Sequence, residues 1–320
     1  MKGFRLGKEL AFFEGKIIPV NSAKVGIMTH ALHYGTAVFE GIRGNWNSNQ
    51  NKMYVFRLKE HYERLIKGCK ILKMDINYSV DELCEITINL IKESGYNEDI
   101  YIRPLAYKSD EKVANLKLHE LESDFALMIV PFGNYIDNDK PIRCQTSSWR
   151  RPHDSIMPTG VKLSGLYTTS ILAKTEAIMA GFDEAILLNF DGSVSEGSGE
   201  NLFIFKDDEL ITPSETENCL LGITRDCVFE IASNEFNINI QSRKIHRSEI
   251  YLSDEVFLTG TAAHITSVGQ LDNRDINDGK IGSLTKKMQE KYFKIVKGDD
   301  PNYLKSVSYT HLTLPTNREV

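Results

Sequence analysis

Lys162 is the residue of this chain best placed to act as a nucleophile. It is the sole charge between Ser155 and Ala173, in the run SIMPTGVKLSGLYTTSILA. At the chain's 26% charged content, about five charges would be expected in that stretch. A lysine flanked by Val161 and Leu163, between Gly160 and Gly165, reads as partly buried. Burial disfavours the ammonium form, so its pKa should fall and its amine become nucleophilic. The competing reading is a lysine whose stem lies on apolar surface while its head stays wet. Three later segments favour chemistry. Ser193 to Asn201 reads SVSEGSGEN, a glycine-broken loop with two carboxylates and no base. Leu221 to Asp226, LGITRD, is a glycine turn running into a helix start, and Gly260 to His264, GTAAH, follows the apolar strand pattern EVFLT. Together they offer an amine, an acid and two sets of backbone N–H groups suited to anions.

Pyridoxal phosphate requires that set: a lysine to bind it covalently, an acid facing its pyridine nitrogen, and a cup for its phosphate. At these residues the chain resembles the branched-chain-amino-acid aminotransferases, within the fold-type IV pyridoxal-phosphate enzymes. The matching segments are THALHYGTAVFEGIRG, FRLKEHYERL, YIRPL, SSWRRPHDSIMPTGVK, SEGSGENLF, LGITRD and DEVFLTGTAAHIT, in family order over about residues 10–300. The resemblance implies a role for each candidate. Lys162 would bind the cofactor and, once displaced by the substrate amine, carry the proton from the substrate Cα, which requires a neutral base. Glu196 would face the pyridine nitrogen, and Tyr167 would hydrogen-bond the ring oxygen. Ile223, Thr224 and Thr261 would hold the phosphate, with Arg64 from the HYERL match. Taken singly, Glu196 also reads as a solvated loop acid, Tyr167 as a core aromatic and Arg64 as a solvated helix residue.

Substrate roles follow from the same resemblance. Tyr101 and the backbone N–H groups of Thr261 and Ala262 would bind the α-carboxylate. Arg103, in YIRPL, suits a bidentate grip on a second carboxylate, although an arginine in a strand is more often an edge residue. Tyr34, Phe39 and Tyr135 would form the apolar wall, with the Tyr34 hydroxyl assisting Arg103. The implied reaction exchanges the amino group of L-leucine, L-isoleucine or L-valine with 2-oxoglutarate. D-amino-acid aminotransferases and aminodeoxychorismate lyases share the lysine and glutamate segments, but VFEGIRG, YIRPL and GTAAH together favour the branched-chain enzymes. A non-catalytic protein that keeps the scaffold is the alternative of a different class, and intact Lys162 and Glu196 speak against it.

Composition sets outer bounds. The 320 residues suffice for two domains of common size, and 41% hydrophobic content supports real cores. A net charge of −6 gives no electrostatic reason to expect nucleic acid or an anionic membrane as partner. The five cysteines form no CxxC pair, and a reduced, cytoplasmic setting is expected. His30, His33, His61 and His264 form no metal-ligand grouping, so no metal site is expected. The resemblance implies a homodimer, or a larger assembly of dimers.

The elements that must position these residues are legible from period and punctuation. ELAFFEGKIIPV reads as a hairpin turning at Glu14-Gly15, and TAVFEGIRG, MYVF, IYIRPLAY and FALMIV read as strands. Leu58, Tyr62, Leu65, Cys69 and Leu72 keep helical spacing, and Ser79 with Glu82 forms a capping box for a helix ending at Gly95. Later come strands at IRCQTSSW, DEAILLNF, NLFIF and EVFLTG, and helices near 166–180, 224–233 and 284–296. The class is α+β, with an N-terminal domain over 1–131, a linker over 132–142 and a larger domain over 143–305. Two segments depart from the family. DEKVANLKLHE stands where a small glycine-containing loop is usual. SVSYTHLTLPTNREV, residues 306–320, looks like a translated sequencing adapter and is expected to be a non-native tail without packing contacts.

Overall fold

The computed structural model describes residues 9–133 and 136–311. The chain forms two compact units, one reaching Gly133 and resuming at Lys294, the other occupying the stretch between them, to Phe293.

The first unit opens with the expected hairpin, β1 (Leu10–Phe13) and β2 (Lys16–Pro19). Glu14 and Gly15 both take positive φ at its turn. There follow α1 (His30–Tyr34), β3 (Ala37–Phe39), β4 (Ile42–Asn47), β5 (Lys52–Phe56), α2 (Leu58–Ile71), α3 (Val80–Ser94), β6 (Ile100–Lys108) and β7 (Ser123–Pro131). Helix α2 buries Leu58, Tyr62, Leu65 and Cys69, the face its periodicity marks out. Helix α3 starts on the Ser79–Glu82 capping box and stops at Gly95, whose φ of 66° suits a residue without Cβ. Inside the unit the Tyr62 hydroxyl bonds Thr87 Oγ1, so the deepest tyrosine is satisfied where the two helices pack.

The second unit contains β8 (Ile142–Arg150), α4 (Tyr167–Met179), β9 (Glu184–Leu188), β10 (Val194–Gly197), β11 (Asn201–Lys206), β12 (Glu209–Thr212), α5 (Ile223–Phe236), β13 (Asn239–Ser242), α6 (Arg247–Tyr251), β14 (Glu255–Gly260), β15 (His264–Leu271), β16 (Arg274–Asp275) and most of α7 (Ser283–Val296). Its sheet runs β10-β9-β8-β15-β14-β11-β12-β13, with β16 beside β15. Strand β8 pairs in parallel with both β9 and β15, while β14 pairs antiparallel with β11 and β15. Ala173 and Ala177, one helical turn apart on α4, pack with Phe182, Ala185 and Leu187. The Phe203 and Phe257 rings stack at 5.1 Å across β11 and β14.

One expected boundary is corrected. The second unit ends at Phe293 rather than near 305, because the chain returns to the first unit. There Asn47 donates to Lys297 O and to Asp299 Oδ1, both at 2.8 Å. The division between the units falls inside the stretch 132–142: Phe132 N–H bonds Asp99 O in the first unit, and Ile136 packs on the second unit's core. The tail differs as well. A last strand, β17 (Val307–His311), pairs antiparallel with β5 from Val307↔Phe56 to His311↔Lys52, and Val307 is buried. The first sheet therefore runs β17-β5-β4-β6-β7-β1-β2, with β3 beside β6. Residues 312–320 of the expected tail lie outside the described residues. Among the described residues no helix is long and apolar enough to cross a membrane, and no group of His, Cys, Asp and Glu is set to hold a metal.

Strand β17 covers the backbone of β5, so removing residues 307–320 uncovers an edge and loses the burial of Val307. That burial is worth about 2 kcal/mol, and a domain of this size loses roughly 2–4 °C per kcal/mol, so the truncated chain should melt about 4–8 °C lower. An unchanged melting temperature by calorimetry would show that β17 adds nothing to stability.

Candidate active site

In the second unit, Lys162 lies half-buried in the segment between β8 and α4. Buried Leu163 and Leu166 anchor that segment, and a turn closed by Tyr167 N–H on Ser164 O leads into the first residue of α4. The turn folds the lysine back on the helix start. Its Nζ hydrogen-bonds the Tyr167 hydroxyl and lies 4.9 Å from that ring's centre. The amine and the phenol thus address one point, as two groups serving the same atoms must.

Glu196 is buried on β10, and both its oxygens are held. Oε1 meets Arg151 at 2.8 Å, while Oε2 accepts Leu220 N–H at 2.9 Å and Asn201 Nδ2 at 3.3 Å. Burial pushes this carboxyl above its ordinary range, and Arg151, the Leu220 N–H and Lys162 pull it back. A second buried carboxyl, Glu200, sits in the same loop and accepts Gly199 N–H at 3.0 Å. Its own burial and the nearby Glu184 push it upward. At Glu196 the fixed cation that offsets this burial is Arg151.

Asn201 links this acid to the start of α5. Its Nδ2 also donates to Leu220 O at 2.7 Å, and its Oδ1 accepts Gly222 N–H at 3.1 Å. A Cβ at position 222 would stand 2.2 Å from that Oδ1, so the close approach requires glycine. Gly222 is the N-cap of α5 and offers no side chain to the helix's first N–H groups, those of Ile223 and Thr224 among them. Cross-strand pairing of Asn201 with Thr259 brings β14 alongside. Beyond Gly260 the three-residue loop with Thr261 and Ala262 closes on His264. Lys162 and Tyr167 form one cluster; Glu196, Asn201 and the α5 start form another, both in this unit.

The first unit carries the remaining candidates. Arg64 on α2 grips Glu40 with two N–H groups, Nε to Oε1 at 2.7 Å and an Nη to Oε2 at 2.8 Å. His61 Nδ1 lies 2.8 Å from the same Oε2. Burial works to raise the Glu40 carboxyl, but Arg64 and His61 hold it well below the usual carboxylate range. Tyr101 and Arg103 share one face of β6, and Arg103 donates to the Tyr101 hydroxyl at 2.8 Å. The guanidinium lies 4.6 Å from the Phe39 ring centre and 5.0 Å from that of Tyr101. Its Nε is buried without a hydrogen-bond partner, an orphan donor of the kind a ligand carboxylate satisfies. Gly41 makes room for this arrangement, since a Cβ there would stand 2.3 Å from the Tyr101 hydroxyl.

Tyr34 is placed differently from the expectation. Its ring is exposed, and its hydroxyl accepts Ala114 N–H at 2.9 Å instead of assisting Arg103. The partner is the 108–120 loop, which His30 also holds through Asn115 O at 2.8 Å. Tyr135 lies outside the described residues. Four positions that matter were passed over in the sequence: Glu40, Arg151, Asn201 and Asn218. The first three stand in the segments VFEGIRG, SSWRRP and SEGSGEN, yet a single sequence marks them no more strongly than their neighbours. Asn218 carries no local signal beyond a residue type that tolerates positive φ.

Comparison with known proteins gives the family. The family model described as amino-transferase class IV matches residues 37–271, a span that holds every candidate except Tyr34. A probable branched-chain-amino-acid aminotransferase of Aquifex aeolicus (strain VF5) is 50% identical over 305 residues, 95% of this chain and 97% of its own. The branched-chain aminotransferase of Thermoproteus uzoniensis, solved with norvaline, superposes with a TM-score of 0.91 at 39% identity, covering 95% of this chain and 100% of its own. The branched-chain amino acid aminotransferase of Thermobaculum terrenum, solved in its PLP form, gives 0.89 at 33% identity, covering 95% and 99%.

The Glu40 clamp has a pH signature. A carboxyl whose folded pKa is depressed stabilises the fold above its unfolded value, near 4.5, and that gain is lost as pH falls through the folded value. Glu40→Gln should cost about 3–5 kcal/mol at about pH 7, the range for breaking a buried pair, and less at about pH 3. Urea denaturation of both proteins at the two pH values measures the gap. A gap that does not narrow in acid means that Glu40 is not the ionised partner of Arg64.

Proposed function

This chain belongs to the class IV aminotransferases and within them to the branched-chain-amino-acid aminotransferases, and we propose how its own residues carry out that reaction. The enzyme exchanges the amino group of L-leucine, L-isoleucine or L-valine with 2-oxoglutarate, reversibly, giving branched-chain 2-oxo acids and L-glutamate. One observation carries the assignment of roles: a buried Glu196 fixed by Arg151, in the same unit as a lysine amine held on a tyrosine hydroxyl.

The cofactor is pyridoxal phosphate, and the residues fit it. An uncapped α5 with a glycine that admits no Cβ suits a dianion, and the held carboxylate suits a protonated ring nitrogen. Lys162 would bind it, Glu196 would face its ring nitrogen, and Tyr167 its ring oxygen. Ile223, Thr224 and Thr261 would hold the phosphate, with Arg64 oriented for the same task by Glu40. When bound, the group supplies an electron sink for the pair left at the substrate Cα. Lys162 Nζ removes the Cα proton, and the Tyr167 hydroxyl keeps Nζ in place while it does so. Tyr101, with the Thr261 and Ala262 N–H groups, binds the α-carboxylate. Arg103 receives the second carboxylate of glutamate, its orphan Nε supporting that role, while Phe39 accepts an aliphatic side chain.

We also propose a homodimer, or a larger assembly of dimers, in the cytoplasm. Ile171, Ile178 and Met179 on α4 and Ile27 and Leu32 near α1 are exposed apolar residues in support of it. Among the described residues no two cysteines are joined by a disulfide, in support of a reducing compartment.

The direct test is purified protein with pyridoxal phosphate, L-leucine and 2-oxoglutarate, with glutamate as the readout and D-leucine as the control. Lys162→Ala should fold and lose nearly all turnover. Substantial residual turnover would remove Lys162 from its role.

Arg103 separates the two half-reactions. Leucine offers it no charge, so Arg103→Met should weaken the glutamate and 2-oxoglutarate half-reactions by about 2–5 kcal/mol, the range for truncating one partner of a buried charge pair. The leucine half-reaction should change little. Equal losses in single-turnover measurements would make Arg103 a structural residue.

A further inference from the structure

Asn218 ties together the segments on which the acid of the site depends. It is buried and takes a left-handed φ of 55°, a conformation that asparagine and glycine tolerate. Three of its polar groups are engaged, two with the loop after β8 and one with the end of β9. Its carbonyl accepts Arg151 Nε at 3.0 Å. Its Oδ1 accepts Asp154 N–H at 3.1 Å, and Asp154 in turn accepts Thr159 N–H at 3.1 Å, in the loop that leads to Lys162. Its Nδ2 donates to Asn189 Oδ1 at 2.9 Å, at the end of β9. Asn189 is itself fixed, donating to Ser193 Oγ and Glu217 Oε2, both at 3.0 Å. Two residues past Asn218, Leu220 N–H binds Glu196, and the start of α5 follows.

The guanidinium of Arg151 therefore has two holds, Glu196 on one side and the Asn218 carbonyl on the other. We propose that Asn218 is a positioning residue for the transamination, which sets Arg151 on Glu196 and joins the Lys162 loop to the segment bearing the phosphate cup. It touches no substrate and acts through Arg151. This rests on the role given to Glu196 above. Besides Arg151, the titratable groups whose fields reach Glu196 are Lys162, Glu200 and Cys219. The Asn218 side chain bonds none of these groups, so its removal reaches the acid by way of Arg151.

Asn218→Gly keeps the left-handed backbone and the carbonyl but removes the two side-chain bonds that fix where that carbonyl points. In holoenzyme loaded with 15N-labelled pyridoxal phosphate, the ring-nitrogen resonance reports directly whether that nitrogen keeps its proton. In Asn218→Gly it should move toward the neutral range, with kcat down about 10-fold and KM little changed. In an Arg151→Gln background, which should show the larger shift, adding Asn218→Gly should produce no further change. An unshifted resonance in Asn218→Gly, even with a lowered melting temperature, would make Asn218 merely structural and overturn the proposal. Additive effects in the double variant would overturn it too. An unshifted resonance in both Arg151→Gln and Glu196→Gln would instead remove Glu196 from the ring nitrogen, and the Asn218 proposal would fall with that assignment.

Discussion

A buried carboxylate is the constraint around which the second unit is arranged. Glu196 sits inside the protein, where an unpartnered charge costs several kcal/mol, so each of its oxygens must be met by a fixed donor. The three donors come from separate stretches: Arg151 after β8, Asn201 at the start of β11, and the Leu220 backbone ahead of α5. Satisfying one side chain therefore fixes the relative places of a strand end, a hairpin and a helix start. Those are also the segments around the proposed phosphate cup. The same bonds that meet the acid's two oxygens would set the spacing between acid and proposed cup.

The first unit solves a related problem with different parts. Glu40 is buried as deeply, yet two neighbours from one helix, Arg64 and His61, hold it. Spacing of three residues places both on one face of α2, so a single turn of helix supplies the cation and the imidazole together. On β6 the period of two does the equivalent work for Tyr101 and Arg103. Local geometry sufficed there. In the second unit it did not, and the site had to be assembled from distant segments.

That difference explains what was legible in the sequence. Helix α3 could be read to within a residue, since Ser79, Glu82 and Gly95 are chemical punctuation acting over one turn. The β1–β2 turn and Lys162 in its charge-poor run were legible for the same reason. Arg151 and Asn218 were not, because their importance comes from bonds that span tens of residues. The return of the chain to the first unit was missed for a further reason. Nothing in Val307–His311 marks it for β5 beyond being able to extend, and strand partners are chosen by the sheet edge as much as by the strand. Tyr34 was placed differently because its hydroxyl meets the backbone of a loop some eighty residues away, at Ala114.

The bare N-terminus of α5 also bears on how this protein keeps its shape. A serine, threonine, aspartate or asparagine at the N-cap, such as Ser79 on α3, is worth about 1 kcal/mol over alanine and is available under all conditions. Gly222 supplies no such side chain, and an anion in the proposed phosphate cup would meet those N–H groups instead. Part of the folding free energy would then be lodged in a small molecule. A ligand at a hundred times its dissociation constant adds about 2.7 kcal/mol to the folded state, and nothing when it is scarce. Resistance to heat and to proteolysis would then become a variable set by cofactor supply, and a cell short of the cofactor would hold less of the enzyme as well as less activity per molecule.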